Sequence, residues 1–212
     1  MTGENLFIYI IEVLGTIAFA ISGIRPAAAK RFDWFGAYVV GAVTAIGGGT
    51  VRDLLLGIPV FWMQSWMYLA VTFLSLVTVI IFRKVLVKGL RTLFIFDAIG
   101  LALFVVVGIE KSLSAGYPYW VAIVMGIITG SFGGVTRDIL INEEPLFFRK
   151  DIYATACLAG GLIYWAVALV PGSSPIVAQI TCAITVIGLR IAAVHYHWQL
   201  PILKVDPKDL PE

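Results

Sequence analysis

Charge is what this sequence has least of. Only 13% of its 212 residues are Asp, Glu, Lys or Arg, about half the roughly 25% of an ordinary soluble domain. It has two cysteines and two histidines. Cys157 and Cys182 both fall in apolar runs, where a thiol reads as a small buried hydrophobe rather than half of a disulfide or a metal ligand. His195 and His197 stand two apart, so a helix sends them to different sides and they form no metal pair. They are expected at the interfacial end of the last apolar segment. There is no Ser-His-Asp or Cys-His constellation, no HExxH and no P-loop, so no enzyme is expected. No Pro/Ser-rich linker or long polar stretch divides the chain, which implies one bundle. A basic stretch ahead of the first apolar run is also missing. Glu4 is there without Lys or Arg, so Ala18-Phe19-Ala20 does not read as a signal cleavage site and the run reads as a retained helix.

What the chain has instead is apolar length. Hydrophobic residues make up 60% of it. A membrane-spanning helix needs about 20 mostly apolar residues, and seven segments qualify, approximately 6–24, 34–57, 66–82, 92–109, 119–141, 152–170 and 174–194. Backbone in lipid must satisfy itself, and the short alternating segments of a barrel are absent, so the expected class is an all-α membrane protein. Charge sorts the loops. Arg25, Lys30, Arg31, Arg83, Lys84, Lys88, Arg91, Arg149, Lys150, Arg190, Lys204 and Lys208 fall on one side, and Lys111 alone on the other. The positive-inside rule then predicts an outside N-terminus and a cytoplasmic C-terminus. Such a basic face suits a prokaryotic inner membrane with an anionic cytoplasmic leaflet. Trp34, Trp62, Trp66, Tyr119, Trp120 and Trp198 fall near segment ends, as an aromatic belt does.

The remaining two basic residues, Arg52 and Arg137, sit inside apolar segments. Each follows glycines and precedes an aspartate, in Gly47-Gly48-Gly49-Thr50-Val51-Arg52-Asp53 and Phe132-Gly133-Gly134-Val135-Thr136-Arg137-Asp138. The recurrence is part of a longer one. Shifted by 85 residues, the sequence meets itself without a gap: Glu12 on Asp97, Gly15 on Gly100, Phe19 on Phe104, Gly23 on Gly108, Gly41 on Gly126, Leu55 on Leu140 and Tyr68 on Tyr153. The chain therefore reads as a first three-helix repeat (6–83), a second (91–170), a seventh helix (174–195) and a polar tail (196–212). Three spans per repeat is odd, so the second copy is inverted relative to the first. Inverted repeats commonly build a transport path at their interface.

The glycines predict breaks in the second and fifth spans, because glycine weakens a helix. Unwound backbone at membrane depth is tolerated where it lines a cavity, and its carbonyls can meet a cation. The hydroxyls of Thr50, Ser131 and Thr136 are further candidate ligands. Intramembrane charge marks transport paths by default, which selects Arg52, Asp53, Arg137 and Asp138, with Glu12 and Asp97 as secondary candidates. Neighbours point about 100° apart on a helix, so cross-pairing is expected, Arg52 with Asp138 and Arg137 with Asp53. The plainer reading is that these charges only hold the repeats together. Gly126-Ile127-Ile128-Thr129-Gly130 and the positions Gly36, Gly41 and Ala45 read as close-packing sites.

These residues resemble a known family. Gly-x-x-x-Phe-Ala-Ile-Ser-Gly at 15–23, then the two Gly-Gly…Arg-Asp motifs, look like the prokaryotic branch of the trimeric intracellular cation (TRIC) channels, also labelled a duplicated glycine-transporter domain. The resemblance covers about residues 6–195. It implies a homotrimer in membrane lipid and a pore inside each protomer, lined by the glycine-kinked helices 2 and 5. Carried over, the pore or hinge residues are Gly47, Gly48, Gly49, Gly133 and Gly134. It also implies passage of monovalent cations, K⁺ and Na⁺, with no cofactor beyond a permeant ion and no nucleic-acid partner. Animal members bind a phosphoinositide through a basic motif near the fifth helix; Gly-Val-Thr-Arg-Asp stands there in this chain, so the lipid site is not carried over. The alternative function is a secondary transporter for a small amino acid such as glycine, its carboxylate held by an arginine and a half-helix end.

Overall fold

In a computed structural model, which describes residues 3–87 and 90–201, the chain is a bundle of helices. The order is α1 (Gly3–Ala29), α2 (Trp34–Leu56), a 3-10 turn (Phe61–Gln64), α3 (Met67–Ile81), the single turn α4 (Arg83–Leu86), α5 (Leu90–Ser114), α6 (Tyr119–Leu140), a second 3-10 turn (Leu146–Phe148), α7 (Ala154–Ala168) and α8 (Pro175–His195). Lys88 and the tail beyond Pro201, with Lys204 and Lys208, lie outside the described residues.

The repeat is visible element by element. α1, α2, their 3-10 turn and α3 recur as α5, α6, their 3-10 turn and α7. Even the chain reversal after each Gly-Gly…Arg-Asp motif is copied. Gly57 (φ 67°) and Asn142 (φ 54°) both take the left-handed conformation that ends a helix. The next amides, of Ile58 and Glu143, then bond back to the carbonyls of Asp53 and Asp138 at 3.0 and 2.8 Å.

α1, α2, α5 and α6 form the centre, and small residues decide how closely they approach. Gly15 lies against the Phe104 ring and Gly100 against Phe19, while the two rings stack with centroids 5.3 Å apart. Under the 85-residue shift Gly15 becomes Gly100 and Phe19 becomes Phe104, so the α1–α5 contact is a repeat meeting its own copy. Gly41 packs on Ile24 and the Ala20 carbonyl, and Gly126 on Ile109 and the Val105 carbonyl, as expected for packing positions. α3, α7 and α8 lie outside this core. Cys157 and Cys182 are free and buried.

The span lengths differ from expectation in two places. Among the described residues, five helices are long and apolar enough to cross a membrane: Leu6–Ala29, Trp34–Leu56, Thr92–Ser114, Tyr119–Leu140 and Pro175–His195. The segments read as 66–82 and 152–170 hold apolar helices of only 15 residues, α3 and α7. At 1.5 Å per residue such a helix rises roughly 22 Å, short of the ~30 Å hydrocarbon core. Each starts within two residues of the expected segment, and the chain before it is taken up by a 3-10 turn, Phe61–Gln64 or Leu146–Phe148, rather than by a further helical turn.

Candidate functional site

α2 and α6 cross at their glycines, and neither helix is broken there. α2 is helical without interruption through Gly47, Gly48 and Gly49, and α6 through Gly130, Gly133 and Gly134. The expected unwinding is therefore corrected. The glycines serve close approach rather than backbone freedom. A Cβ on Gly48 would fall on the Thr129 carbonyl, and a Cβ on Gly133 on the Thr44 carbonyl. Thr44 and Thr129 are themselves equivalent under the repeat, so the crossing is a second symmetric contact. Gly49 takes the Phe61 ring against its Cα, and Gly134 the Tyr153 hydroxyl. Gly47 is the loose member, with nothing nearer than 3.9 Å to a built Cβ. The part that Thr44 and Thr129 play in this crossing is not expected from the 126–130 stretch alone, although Thr-x-x-x-Gly at 44–48 and 129–133 is a small-x-x-x-small signal.

The charges pair with their neighbours, not across the repeats. Arg52 reaches Oδ1 of Asp53 through both Nε and Nη2, each at 2.7 Å. Arg137 Nε lies 2.8 Å from Oδ1 of Asp138. The cross-pairing of Arg52 with Asp138 and Arg137 with Asp53 is thus corrected. The 100° divergence holds at Cβ, but the arginine arm is long enough to fold back. Each aspartate is also held for it. The Phe61 amide donates to Asp53 Oδ2 at 2.9 Å, and the Leu146 amide to Asp138 Oδ2 at 3.1 Å. These donors lie eight residues downstream in both copies, at the start of the 3-10 turns.

Beyond this shared core the halves diverge. In the second, Arg137 Nη1 also binds Asp97 Oδ1 at 2.5 Å and donates to Ser22 Oγ at 2.6 Å. In the first, Glu12 takes the place of Asp97 and is held by Lys111 Nζ at 2.8 Å and the Tyr68 hydroxyl at 2.9 Å. Arg52 instead faces the Phe61 ring, 5.6 Å from its centroid. Arg52, Asp53, Asp97 and Arg137 are all at most 1% exposed. Arg52, Lys111 and Arg137 each have a carboxylate within contact. Such buried pairs are held by geometry, since each charge alone would carry a desolvation cost of several kcal/mol.

The hydroxyl candidates are turned onto their own helices. Thr50, Ser131 and Thr136 donate to the carbonyls of Ile46, Ile127 and Phe132, four residues back, at 2.7, 2.6 and 2.9 Å. Thr50 Oγ1 additionally accepts from the Trp62 indole at 2.9 Å, so Trp62 points inward rather than into an aromatic belt. Trp34, Trp66 and Trp120 remain 68–80% exposed. A cavity of 260 Å³ leads from the basic face to Arg137 and Asp138, rimmed by Arg25, Lys30, Glu143 and Arg149. Lys30 Nζ spans it to Glu143 at 2.7 Å, and this ammonium holds the Glu143 carboxyl below its ordinary range, first by hydrogen bond and then by charge.

Two further clusters were not expected from sequence. Glu110 accepts from the Tyr164 hydroxyl at 2.5 Å and the Gln179 amide at 2.6 Å, tying α5, α7 and α8 together. Arg190 lies in α8, stacked on Tyr153 and Phe94 at 4.8 and 5.3 Å, and donates to the Ile152 carbonyl at 2.9 Å.

A duplicated helical unit, crossed on its own glycines and carrying paired charge in its centre, defines an integral membrane protein of internally repeated helices. Comparison with known proteins narrows this. The glycine transporter family model matches twice, at residues 9–84 and 94–168. The UPF0126 inner membrane protein YadS of Escherichia coli (strain K12) is 39% identical over 204 residues, covering 95% of this chain and 98% of its own. The crystal structure of the TRIC trimeric intracellular cation channel orthologue from Rhodobacter sphaeroides superposes with a TM-score of 0.85 at 34% identity, covering 90% of this chain and 98% of that one. A prokaryotic TRIC channel in 0.5 M KCl gives 0.81 at 31% identity, covering 91% and 98%. The chain belongs to the prokaryotic TRIC channel family.

Proposed function

We propose that this protein is a passive channel for monovalent cations, K⁺ and Na⁺. It acts as a homotrimer in the inner membrane, with a conduction path in each protomer beside the α2–α6 crossing. Seven membrane segments, with an outside N-terminus and a cytoplasmic C-terminus, complete the reading. α3 and α7 then cross with the help of the 3-10 turns and extended chain that precede them.

The carrying observation is the local neutralisation of Arg52 and Arg137. An unpaired guanidinium at membrane depth repels a passing cation by several kcal/mol at short range in a low-dielectric wall. Here Arg52 is held by Asp53, and Arg137 by Asp97 and Asp138, so neither presents a bare positive charge. Helices that stay continuous and hydroxyls already bonded to their own backbone do not make a tight dehydrating filter. That supports weak discrimination between K⁺ and Na⁺. The likeness to the R. sphaeroides cation channel supports the same reading.

The description of the matching family model favours a second reading, a secondary transporter for glycine. It requires an arginine free to take the substrate carboxylate, and the pairing above leaves neither guanidinium unneutralised. Proteoliposomes discriminate the two. A channel releases trapped K⁺ at a rate that does not saturate and is indifferent to glycine. A transporter accumulates labelled glycine saturably, and only under an ion gradient.

A further inference from the structure

The contacts between α1, α2, α3 and α4 leave a groove whose chemistry the channel reading does not use. A 200 Å³ cleft is walled by Ile24, Phe32, Trp34, Leu76, Val79 and Ile80, with Arg83 also in its lining. Through Ala28, Arg83 and Val87 it adjoins a 430 Å³ hollow that adds Lys84. Arg83 and Lys84 are exposed, and among the described residues neither forms an ion pair. The surrounding surface is apolar and open: Trp34 and Phe35 are each 74% exposed, Phe82 56% and Val85 71%.

The repeat provides an internal comparison. The second copy repeats α1, α2 and α3 as α5, α6 and α7 but has no counterpart of the single turn α4, and the positions equivalent to Arg83 and Lys84 are Ala168 and Leu169. Val79 and Ile80 become Tyr164 and Trp165. Tyr164 turns inward to bond Glu110, and Trp165 stacks on Tyr119 at 6.1 Å. The scaffold therefore does not require two cations at this corner, nor an aliphatic cleft beside them. Both belong to the first copy alone.

We infer that this corner binds an anionic phospholipid, with one acyl chain in the cleft between α1 and α3 and the phosphate at Arg83 and Lys84. Apolar walls bordered by two cations that form no ion pair among the described residues are complementary to a chain ending in a phosphate. The corner also lies on the basic face, at the level of the helix ends where headgroups sit. A zwitterionic lipid offers the same chain but a phosphate already balanced by its own cation. Discrimination between the two then rests on Arg83 and Lys84, at roughly fivefold per cation near a charged headgroup.

Native mass spectrometry of the full-length protein tests this, with dioleoyl phosphatidylglycerol and dioleoyl phosphatidylcholine titrated separately. The wild type is expected to retain phosphatidylglycerol preferentially. The Arg83→Gln/Lys84→Gln variant should lose that preference, with apparent affinity falling roughly thirtyfold for phosphatidylglycerol and little for phosphatidylcholine. Ile80→Trp, which copies the second repeat, should weaken both lipids by filling the cleft. Both cations are exposed, so the first variant should keep its thermal stability and assembled mass. Equal retention of the two lipids by the wild type would overturn the inference. So would undiminished phosphatidylglycerol binding by the charge-neutralised variant.

Discussion

Gly47 and Gly48 are neighbours in one helix, and the α2–α6 crossing separates their fates. Replacing Gly47 by alanine adds a methyl group that meets nothing closer than 3.9 Å, and alanine is the better helix former by up to about 1 kcal/mol. Replacing Gly48 drives the methyl into the Thr129 carbonyl. The obstacle is backbone in a packed helix, so no rotamer change relieves it. Relief requires α2 and α6 to separate along the whole contact, including the symmetric pair at Gly133 and Thr44. Overpacking of this kind costs about 1–3 kcal/mol, and a rigid obstacle places it at the upper end. The two variants should therefore differ by about 3 kcal/mol, or roughly 6–12 °C in Tm for a chain of this size. Gly133→Ala should follow Gly48→Ala. Thermal unfolding of each variant in one detergent, followed by loss of helical circular dichroism, measures this. If Gly48→Ala melts with Gly47→Ala, the close crossing does not exist as described.

Three further outcomes follow from the buried charges and their surroundings. Arg137→Gln strands Asp97 and Asp138 and should destabilise by about 3–5 kcal/mol, with Asp97→Asn in the same chain recovering part of it; additive losses in a double-mutant cycle would contradict the pairing. Tyr68→Phe removes a hydrogen bond to Glu12 and should cost about 1.5–3 kcal/mol, whereas its repeat mate Tyr153, whose hydroxyl has no partner among the described residues, should tolerate Phe without loss. The Lys30–Glu143 link depresses the carboxyl's folded pKa, so its contribution is complete above the unfolded carboxyl value, about 4.3, and disappears as pH falls through the lower folded one. Glu143→Gln should accordingly lower Tm at neutral pH, with the gap to wild type closing in strong acid or high salt.

The repeat was legible because it is written in residues with few substitutes. A glycine facing a ring, or an aspartate held by a distant amide, leaves the same letter at the same offset in both copies. The membrane class followed from where charge is absent. Two readings failed for physical reasons. Gly47-Gly48-Gly49 suggests freedom when read alone, yet in the bundle Gly48 is occupied by the Thr129 carbonyl and the helix stays whole. Helix geometry separates Arg52 from Asp53 at Cβ, but the arm's reach and the Phe61 amide bring them together. Neither influence is periodic. Lys111 illustrates the same limit: it reads as a solitary loop cation, and only the packing of α5 against α1 carries it to Glu12.

The central claim is passive conduction of monovalent cations, and single-channel recording from purified protein in planar bilayers tests it most directly. A KCl gradient is imposed, with and without glycine. The account predicts discrete unitary currents that reverse near the K⁺ potential, ignore glycine, and diminish or change selectivity in Gly48→Ala and Gly133→Ala. Electrically silent bilayers, together with saturable, gradient-driven glycine uptake by the same protein in liposomes, would contradict it. Arg52 and Arg137 would then be recast as ligands for a substrate carboxylate.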